Sequence, residues 1–263
     1  MKKKYSVLSK AIKVNLQLNP YPHLVIEDAL PQEYYNILSS KFPLNYFENN
    51  KIEGENNVRK DIFYKDLMTN NEIDPEWKNF ISYHSSMEFY HEILSIFEDI
   101  ILQKFPNIFK NKNYLYDLGT SNQLSTSINT PVIKNTSVRG AHLDNLNKLF
   151  TGLFYMRSEK DNSQGGDLEL FSWKKKISIN KKRLSSRFGI SMSDIQLIKT
   201  IKYKPNTFVI FLNSLDSLHG VTPRSVTNEY RKMCVFTSKL PFVIDKLSLL
   251  DRFCLKALES FSR

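Results

Sequence analysis

Two histidines and one aspartate are spaced so that they could hold a metal ion. His142 and Asp144 stand two residues apart in the segment GAHLDN, just before a strongly apolar run. Residues i and i+2 of an extended chain project to the same side, so this imidazole and this carboxylate can occupy adjacent positions on one ion. His219 follows the apolar segment TFVIFL and could supply a third ligand. An HxD pair alone is also common in structural roles, so the predicted metal centre depends on that third ligand.

Arg231 indicates what else the site would bind. Alternation along the predicted strand YRKMCVF places Arg231, Met233 and Val235 on one face. A guanidinium that points into an apolar core is costly without an anionic partner, so an inward Arg231 predicts a fixed anion such as a dicarboxylate cosubstrate. Two histidines and one carboxylate leave three positions on the ion open for such a cosubstrate and O₂. The alternative is a solvated Arg231 at a sheet edge.

The elements that must position these residues change type along the chain. The first part is helical in pattern: Pro31 is suited to open one helix, and Asp74 with Pro75 to open another that runs to about Lys104. After that, short segments rich in β-branched and aromatic residues predict strands. These are residues 114–119, 150–156, 167–171, 207–212 and 230–237, with an earlier strand at 22–27. The predicted fold class is α+β, mainly β: an antiparallel sandwich with the N-terminal helices packed outside.

No internal repeat or linker divides the chain, so residues 1–263 are predicted to form a single domain. Within it, residues 1–110 would be a helical N-terminal support region and residues 114–240 the β core. Residues 241–263 have the pattern of an amphipathic C-terminal helix, which we expect to dock on the same core.

The composition predicts an ordered intracellular protein. Hydrophobic residues make up 41% of the chain and charged residues 24%, which excludes a disordered, collagen-like or disulfide-stapled class. The formal net charge is +10, but the basic residues are mostly lysine, which is weak evidence for nucleic-acid binding. Cys234 and Cys254 are too few for a disulfide framework, and no apolar run has the length of a signal peptide or a membrane span. We therefore expect a soluble, cytoplasmic protein that has no membrane partner, and the composition disfavours a nucleic acid as its partner.

Taken in order, these segments resemble the iron- and 2-oxoglutarate-dependent dioxygenases of the prolyl 4-hydroxylase-like group. The segment HLD is followed by FTGLFYM, GGDLELF, NTFVIFLNSLDSLHGVTP and then Arg231, so the resemblance covers about residues 114–240. The opening PYPHLVIEDALPQEYYNILSSKFP is similar to the strand and helix that often precede the core of these enzymes. The fold that the resemblance implies is a double-stranded β-helix of jelly-roll, or cupin-like, type, in agreement with the strand pattern.

The resemblance also implies a role for each candidate residue. His142, Asp144 and His219 would be the Fe(II) ligands, and Arg231 with Tyr155 would bind the distal carboxylate of 2-oxoglutarate. The implied reaction is hydroxylation of an unactivated C–H bond by O₂, with 2-oxoglutarate converted to succinate and CO₂ and with ascorbate as an optional reductant. Asp144 favours hydroxylation over halogenation, because related halogenases carry a small residue in its place.

The substrate is described only by class. Arg139 and Arg224 flank the predicted metal-binding segments and are candidates for binding an anionic substrate, either a small molecule or a peptidyl group. The basic segment 174–187 could be a lid over the site or a solvated loop. Two other functions remain open at this point: a cupin-like metal-dependent isomerase or sugar-modifying enzyme, for which Arg231 would be dispensable, and a basic nucleic-acid-binding module, whose affinity would fall steeply with salt.

Overall fold

The computed structural model describes residues 5–11, 15–49, 54–106, 109, 112–117, 121–136, 139–174 and 177–241. The helices are α1 (Gln32–Ser40), α2 (Leu44–Glu48), α3 (Tyr64–Thr69), α4 (Pro75–His84), α5 (Met87–Lys104), α6 (Lys112–Asp117) and α7 (Ile179–Phe188). The strands are β1 (His23–Ile26), β2 (Arg59–Phe63), β3 (Ser121–Asn129), β4 (Lys148–Tyr155), β5 (Leu168–Trp173), β6 (Ile195–Ile201), β7 (Thr207–Leu212), β8 (His219–Val221) and β9 (Arg231–Lys239).

The strands form two antiparallel sheets. The larger sheet has the order β1-β7-β4-β9-β3-β2, and the smaller one has the order β6-β5-β8. Alternate residues of a strand point to opposite faces, and the larger sheet uses both faces. Phe154 and Phe236 on its outer face pack with Phe80 of α4, and Phe208 packs with Phe236. The predicted α+β architecture, mainly β with helices outside, is confirmed.

The inner face of the larger sheet packs against the smaller sheet. Val209, Phe211 and Val235 share one buried cluster with Leu168 and Leu170 of β5. Strand β7 lies inside the larger sheet and is covered on both faces, so all six of its residues are buried. This two-sided burial explains why its sequence, TFVIFL, is apolar without alternation.

One segment that was predicted as a strand is helical. Within residues 114–119, the described part belongs to α6, where Leu115 is buried and its carbonyl oxygen accepts a hydrogen bond from the Tyr90 hydroxyl at 3.2 Å. The Tyr116 hydroxyl donates to Glu98 of α5 at 2.9 Å. Contacts with α5 thus override the β propensity of these aromatic residues. The core begins with β3 instead, which the sequence pattern missed together with β2, β6 and β8.

The helix predicted from Asp74 to Lys104 is in fact two helices. Helix α4 ends at His84, and α5 begins after Ser86, whose hydroxyl oxygen accepts the backbone N–H of Phe89 at 3.3 Å. Serine is a favoured N-cap because its side chain satisfies a backbone donor that the helix leaves unpaired. The periodicity of the apolar residues continues across the break, so periodicity alone could not reveal it.

His84 joins the N-terminal segment to this helical layer. Its Nδ1–H donates to the Phe80 carbonyl oxygen at 2.7 Å, and its Nε2 accepts the backbone N–H of Val7 at 3.2 Å. The ring is almost completely buried, with Phe89 and Phe236 beside it. Burial lowers the pKa of His84 from 6.5 to about 3, so the neutral imidazole is the folded form.

This buried histidine predicts acid sensitivity. Between pH 6.5 and about 3 the unfolded chain binds a proton at His84 that the folded chain does not, so His84 lowers the free energy of unfolding as the pH falls through that range. The slope attributable to His84 is about 1.4 kcal/mol per pH unit at most. Urea denaturation of metal-free wild type and His84→Gln at pH 7.0 and pH 5.5 measures it. Equal pH dependence of the two proteins would contradict the prediction.

Residues 242–263, which include nearly all of the predicted C-terminal helix and Cys254, lie outside the described residues. That helix and the domain boundaries therefore stay predictions. Within the described residues, no helix combines the length and the apolar character needed to cross a membrane.

Candidate active site

His142 and His219 are held side by side by a short antiparallel bridge. The backbone N–H of each donates to the carbonyl oxygen of the other, at 2.8 and 3.0 Å, and the two imidazole centroids are 4.2 Å apart. Gly220 next to His219 suits this bridge, because a Cβ there would lie 3.2 Å from the backbone nitrogen of Ala141, which is closer than most Cβ contacts. The HxD segment thereby extends the smaller sheet beside β8.

Asp144 completes a compact cluster with these histidines. Its Oδ1 lies 3.9 Å from Nε2 of His142 and 4.0 Å from Nε2 of His219. One ligand atom from each of the three residues lies within 4.8 Å of the others, a spacing that one metal ion can bridge. The structure thus brings together the three residues that the sequence pattern selected.

Both histidines present the same nitrogen to the centre of the cluster. The Nδ1–H of His142 donates to the Gly140 carbonyl oxygen at 2.8 Å, and that of His219 donates to the Ser217 carbonyl oxygen at 2.9 Å. Such bonds fix the tautomer and leave the Nε2 lone pair free to bind a metal. Burial is the main cause that lowers the pKa of His142 to about 3, and burial also lowers the pKa of His219. Both rings are therefore neutral at pH 7.

Asp144 is oriented by a chain of hydrogen bonds. The Thr151 hydroxyl donates to Oδ2 of Asp144 at 2.6 Å, and Nδ2 of Asn213 donates to the Thr151 hydroxyl at 3.1 Å. Burial alone would raise the pKa of Asp144, but His219, Lys148 and the Thr151 bond outweigh it and hold that pKa well below its usual range. The carboxylate is thus ionised, with Oδ1 left to face the histidines. Neither Thr151 nor Asn213 stood out in the sequence, since each is an ordinary polar residue in or next to an apolar strand.

Arg231 lines the same cavity as the cluster of His142, Asp144 and His219. The cavity has a volume of about 440 Å³. Its lining residues are Arg59, Asp61, Phe63, Asn129, Arg139, His142, Asp144, Lys148, Thr151, Leu153, Leu168, His219, Val221, Arg231, Met233 and Val235. Only 3% of Arg231 is exposed, and no carboxylate of a described residue lies within 4.0 Å of its guanidinium. A buried cation without a counter-ion is costly, so the cavity is suited to an anionic ligand.

Unpaired donors close to Arg231 point to the same kind of ligand. Nη1 of Arg231 donates to Oδ1 of Asn129 at 3.5 Å, while the buried Nδ2 of Asn129 has no hydrogen-bond partner among the described residues. The Tyr155 hydroxyl is likewise buried and unpaired within the described structure, and its ring centroid lies 5.2 Å from the Arg231 guanidinium carbon. Tyr203 packs on Arg231 at 4.8 Å. An incoming carboxylate would satisfy donors of this type. Asn129 and Tyr203 were not selected from the sequence.

The two arginines expected to bind the substrate lie in different environments. Arg139 lines the cavity mouth with more than half of its side chain exposed, and its Nη1 is 3.9 Å from Oδ1 of Asp144. Arg224 does not line the cavity. It is 1% exposed and pairs with Asp161, with Nη2 2.9 Å from Oδ2. Substrate binding by Arg224 stays a prediction, and the burial and pairing of its guanidinium do not support it.

Strand β2 and the start of β4 add residues at the mouth that the sequence analysis did not select. Nζ of Lys148 lies 4.0 Å from Oδ2 of Asp144. Arg59 is already paired, since its Nη2 is 2.9 Å from Oδ1 of Asp61. Phe63 lines the mouth with an exposed ring. No periodic signal identified β2, because its residues alternate poorly in burial.

The basic segment 174–187 contributes no lining residue to the cavity within the described structure. Helix α7 occupies most of it. Nζ of Lys181 lies 2.6 Å from Asp194, and Nζ of Lys182 lies 2.8 Å from Asp216. These ion pairs favour a solvated surface helix over a lid.

Comparison with known proteins shows what the part of the chain that carries this geometry is similar to. Residues 132–237 match the model of the 2OG-Fe(II) oxygenase superfamily. No curated protein matches the chain. A prolyl 4-hydroxylase structure from Phytophthora capsici is similar with a TM-score of 0.55 and 16% identity, and the match covers 99% of this chain and 76% of the other. A prolyl hydroxylase from Trichoplax adhaerens, in complex with a peptide fragment of the hypoxia inducible factor oxygen degradation domain, is similar with a TM-score of 0.50 and 12% identity, covering 90% and 96%.

These similarities confirm the double-stranded β-helix as the fold. The matched residues include the cluster of His142, Asp144 and His219 as well as Arg231. The donor set fits Fe(II), since two neutral imidazoles and one carboxylate are its usual facial ligands, and the unpaired donors around Arg231 fit 2-oxoglutarate. The family match also disfavours the isomerase and nucleic-acid-binding alternatives. Residues 132–237, which carry the candidate metal and cosubstrate residues, are thus similar to the 2OG-Fe(II) oxygenase superfamily.

Proposed function

We propose that this dioxygenase hydroxylates an unactivated C–H bond with His142, Asp144 and His219 as the Fe(II) ligands and with Arg231 and Tyr155 at the distal carboxylate of 2-oxoglutarate. One observation carries this proposal: the cluster of two histidines and one carboxylate lines the same cavity as Arg231, which is buried and has no carboxylate partner among the described residues. Asn129 is added to the carboxylate site because its unpaired Nδ2 lies beside Arg231.

The chain's residues prepare the site for a charged metal and cosubstrate. When bound, Fe(II) and 2-oxoglutarate activate O₂, and the reaction yields succinate, CO₂ and a hydroxylated product. The Nδ1 bonds of His142 and His219 keep their Nε2 atoms aimed at the metal. Thr151 holds Asp144 in a fixed orientation. The apolar walls, which include Leu153 and several strand residues, exclude water and so strengthen the charge-assisted bonds that Arg231 can donate.

Succinate formation tests the proposal. Protein purified without metal is loaded anaerobically with Fe(II) and 2-oxoglutarate and then exposed to air, and succinate and CO₂ are measured. We expect formation above the protein-free control, even without added substrate, that a chelator abolishes. Wild-type protein that binds neither Fe(II) nor 2-oxoglutarate would overturn the proposal.

We further infer that the substrate carries an anionic group, which Arg139 and Lys148 bind. The charges of Fe(II) and the 2-oxoglutarate dianion sum to zero, Asp61 balances Arg59, and Arg231 adds one further positive charge. Asp144 then balances only one of the two cations Arg139 and Lys148, each of which lies about 4 Å from its carboxylate. The excess positive charge at the mouth favours an anion, whether the substrate is a small molecule or a peptidyl group.

Sulfate, a weak metal ligand, can serve as the probe of this mouth. The Mn(II) and 2-oxoglutarate complex of the wild type is expected to bind sulfate, and Arg139→Gln or Lys148→Gln to weaken that binding about fivefold or more, because each removes one cation. Isothermal titration calorimetry measures the affinity. Arg59→Gln is the matched control, since Arg59 lines the same mouth but is already paired with Asp61. Absent sulfate binding, or equal binding in all four proteins, would contradict the assignment.

A cytoplasmic location is part of the same proposal. It is supported by the low cysteine content and by Cys234, which is a buried free thiol.

A further inference from the structure

A second group of buried charges lies behind Arg231. Asp161 and Arg224 form an ion pair with a distance of 2.9 Å, and both side chains are almost completely buried. Nη2 of Arg157 adds a hydrogen bond to the Asp161 carbonyl oxygen at 2.9 Å. None of these three residues lines the cavity. A buried ion pair is weak evidence for added stability, and its best-supported role is to select one conformation.

The ion pair ties down the loop that joins β4 to β5. Nε of Arg224 donates to the Ser163 hydroxyl at 3.0 Å, and the backbone N–H of Ser163 donates to Oδ1 of Asp161 at 3.0 Å. The backbone N–H of Ser225 donates to the Gln164 carbonyl oxygen at 2.9 Å. Side-chain and backbone bonds therefore fasten the same turn to the segment around Arg224.

Two glycines let this turn approach its neighbours closely. Gly165 and Gly166 have φ values of +79° and +72°, which residues with a Cβ seldom adopt. A Cβ on Gly165 would lie 1.8 Å from the Pro223 carbonyl oxygen, and a Cβ on Gly166 would lie 3.2 Å from Nε of Arg231. The turn is thus in direct contact with Arg231 on one side and with the segment before Arg224 on the other.

The same turn, at residues 163–166, also holds Arg231. The Gly166 carbonyl oxygen accepts a hydrogen bond from Nε of Arg231 at 2.9 Å, and the rings of Tyr155 and Tyr203 pack on the guanidinium. With Nε engaged, and with Nη1 3.5 Å from Oδ1 of Asn129 and 3.1 Å from Sδ of Met233, Nη2 is the guanidinium nitrogen that has no hydrogen-bond partner among the described residues. Any shift of the Gly166 carbonyl would therefore change the direction in which Arg231 presents its donors.

We infer that the Asp161–Arg224 pair is a positioning device for the cosubstrate: it fixes the turn at residues 163–166, and that turn aims Arg231 at the distal carboxylate of 2-oxoglutarate. The inference rests on the proposed function, in which Arg231 binds that carboxylate. Arg224 is a positioning residue here, in place of the substrate contact that its sequence position suggested.

The test compares two 2-oxo acids that differ in one group. 2-Oxopentanoate has the carbon chain of 2-oxoglutarate without the distal carboxylate, so the ratio of the two affinities isolates the contribution of Arg231. Titration of the Mn(II)-loaded protein gives both affinities. We expect Arg224→Met to lower the preference for 2-oxoglutarate about tenfold while the affinity for Mn(II) stays within about twofold of wild type. A merely structural loosening would weaken both acids alike and leave the preference unchanged, which would overturn the inference.

Reference variants separate this inference from the proposed function. Arg231→Met should lose the preference, and Arg59→Met, at the mouth of the same cavity, should keep it. If Arg231→Met loses the preference and Arg224→Met keeps it, the positioning role is wrong and the proposed function stands. If Arg231→Met also keeps it, the proposed cosubstrate site is wrong.

Should Arg224→Met fail to fold, Ser163→Ala carries the same test, because it removes one of the hydrogen-bond acceptors of Arg224. We expect it to lower the preference for 2-oxoglutarate about threefold, and an unchanged preference would overturn the inference.

Discussion

Replacing Asp144 with alanine is expected to weaken Fe(II) binding by about 100-fold or more and to reduce succinate formation to the background level. The variant removes the only carboxylate of the cluster, whose Oδ1 faces both histidine Nε2 atoms. Loss of one of three protein ligands should exceed the 10- to 100-fold effect typical of changes to groups that only orient a ligand. Anaerobic metal titration measures the affinity directly.

Thermal unfolding supplies a second measurement that does not depend on turnover. A metal that binds only the folded chain raises its melting temperature, so Mn(II) should stabilise the wild type and leave Asp144→Ala almost unchanged. Glu27→Ala is the control, because it removes an exposed carboxylate whose partner is Lys204. An Asp144→Ala protein that keeps wild-type metal affinity would show that the cluster is not the metal site.

The second large effect is expected at Arg231. Arg231→Met should raise the KM and the Kd for 2-oxoglutarate by about 100-fold, since charge-assisted hydrogen bonds to a carboxylate contribute about 1.5–3 kcal/mol each. Metal affinity should remain unchanged, because the guanidinium makes no contact with the three metal ligands among its hydrogen bonds. Arg231→Lys should recover only part of the affinity, as an ammonium cannot pair in bidentate fashion.

Steady-state kinetics with varied 2-oxoglutarate and calorimetry on the Mn(II)-loaded protein test this expectation. Arg59→Met controls for the loss of a cation from the same cavity, since Arg59 is neutralised by Asp61. Equal affinities in the wild type and Arg231→Met would remove the main support for the cosubstrate assignment.

The predictable part of the site is the part encoded by local spacing. His142 and Asp144 are two residues apart, and strand alternation put Arg231 on one face with Met233 and Val235, which is the face that lines the cavity in the structure. These spacings predict the same arrangement in the folded protein, because an extended chain has the same alternation of side chains in any sheet. The central strand β7 was predicted with its observed bounds, since its apolar run is short, rich in β-branched and aromatic residues, and flanked by turn-forming residues.

The unpredicted part depends on contacts between distant segments. The Ser85–Ser86 break and the helical α6 follow from capping and packing against α5, which apolar periodicity does not report. Thr151 and Asn213 lie far apart in sequence and act together only because β4 and β7 are neighbours. Arg224 flanks a metal-binding segment in the sequence, but its side chain is directed to Asp161 by the fold.

By itself the sequence determined which residue types could bind the metal and the cosubstrate, because an HxD pair, a later histidine and an arginine on an alternating strand are local patterns. Only the tertiary structure decided that they share one cavity, that Asn129 and Lys148 join them, and that Arg224 lies behind Arg231 with its charge already paired. The physical reason is that pairing, burial and the loss of water arise between segments that the chain order keeps apart, and those contacts set which charges remain available to a ligand.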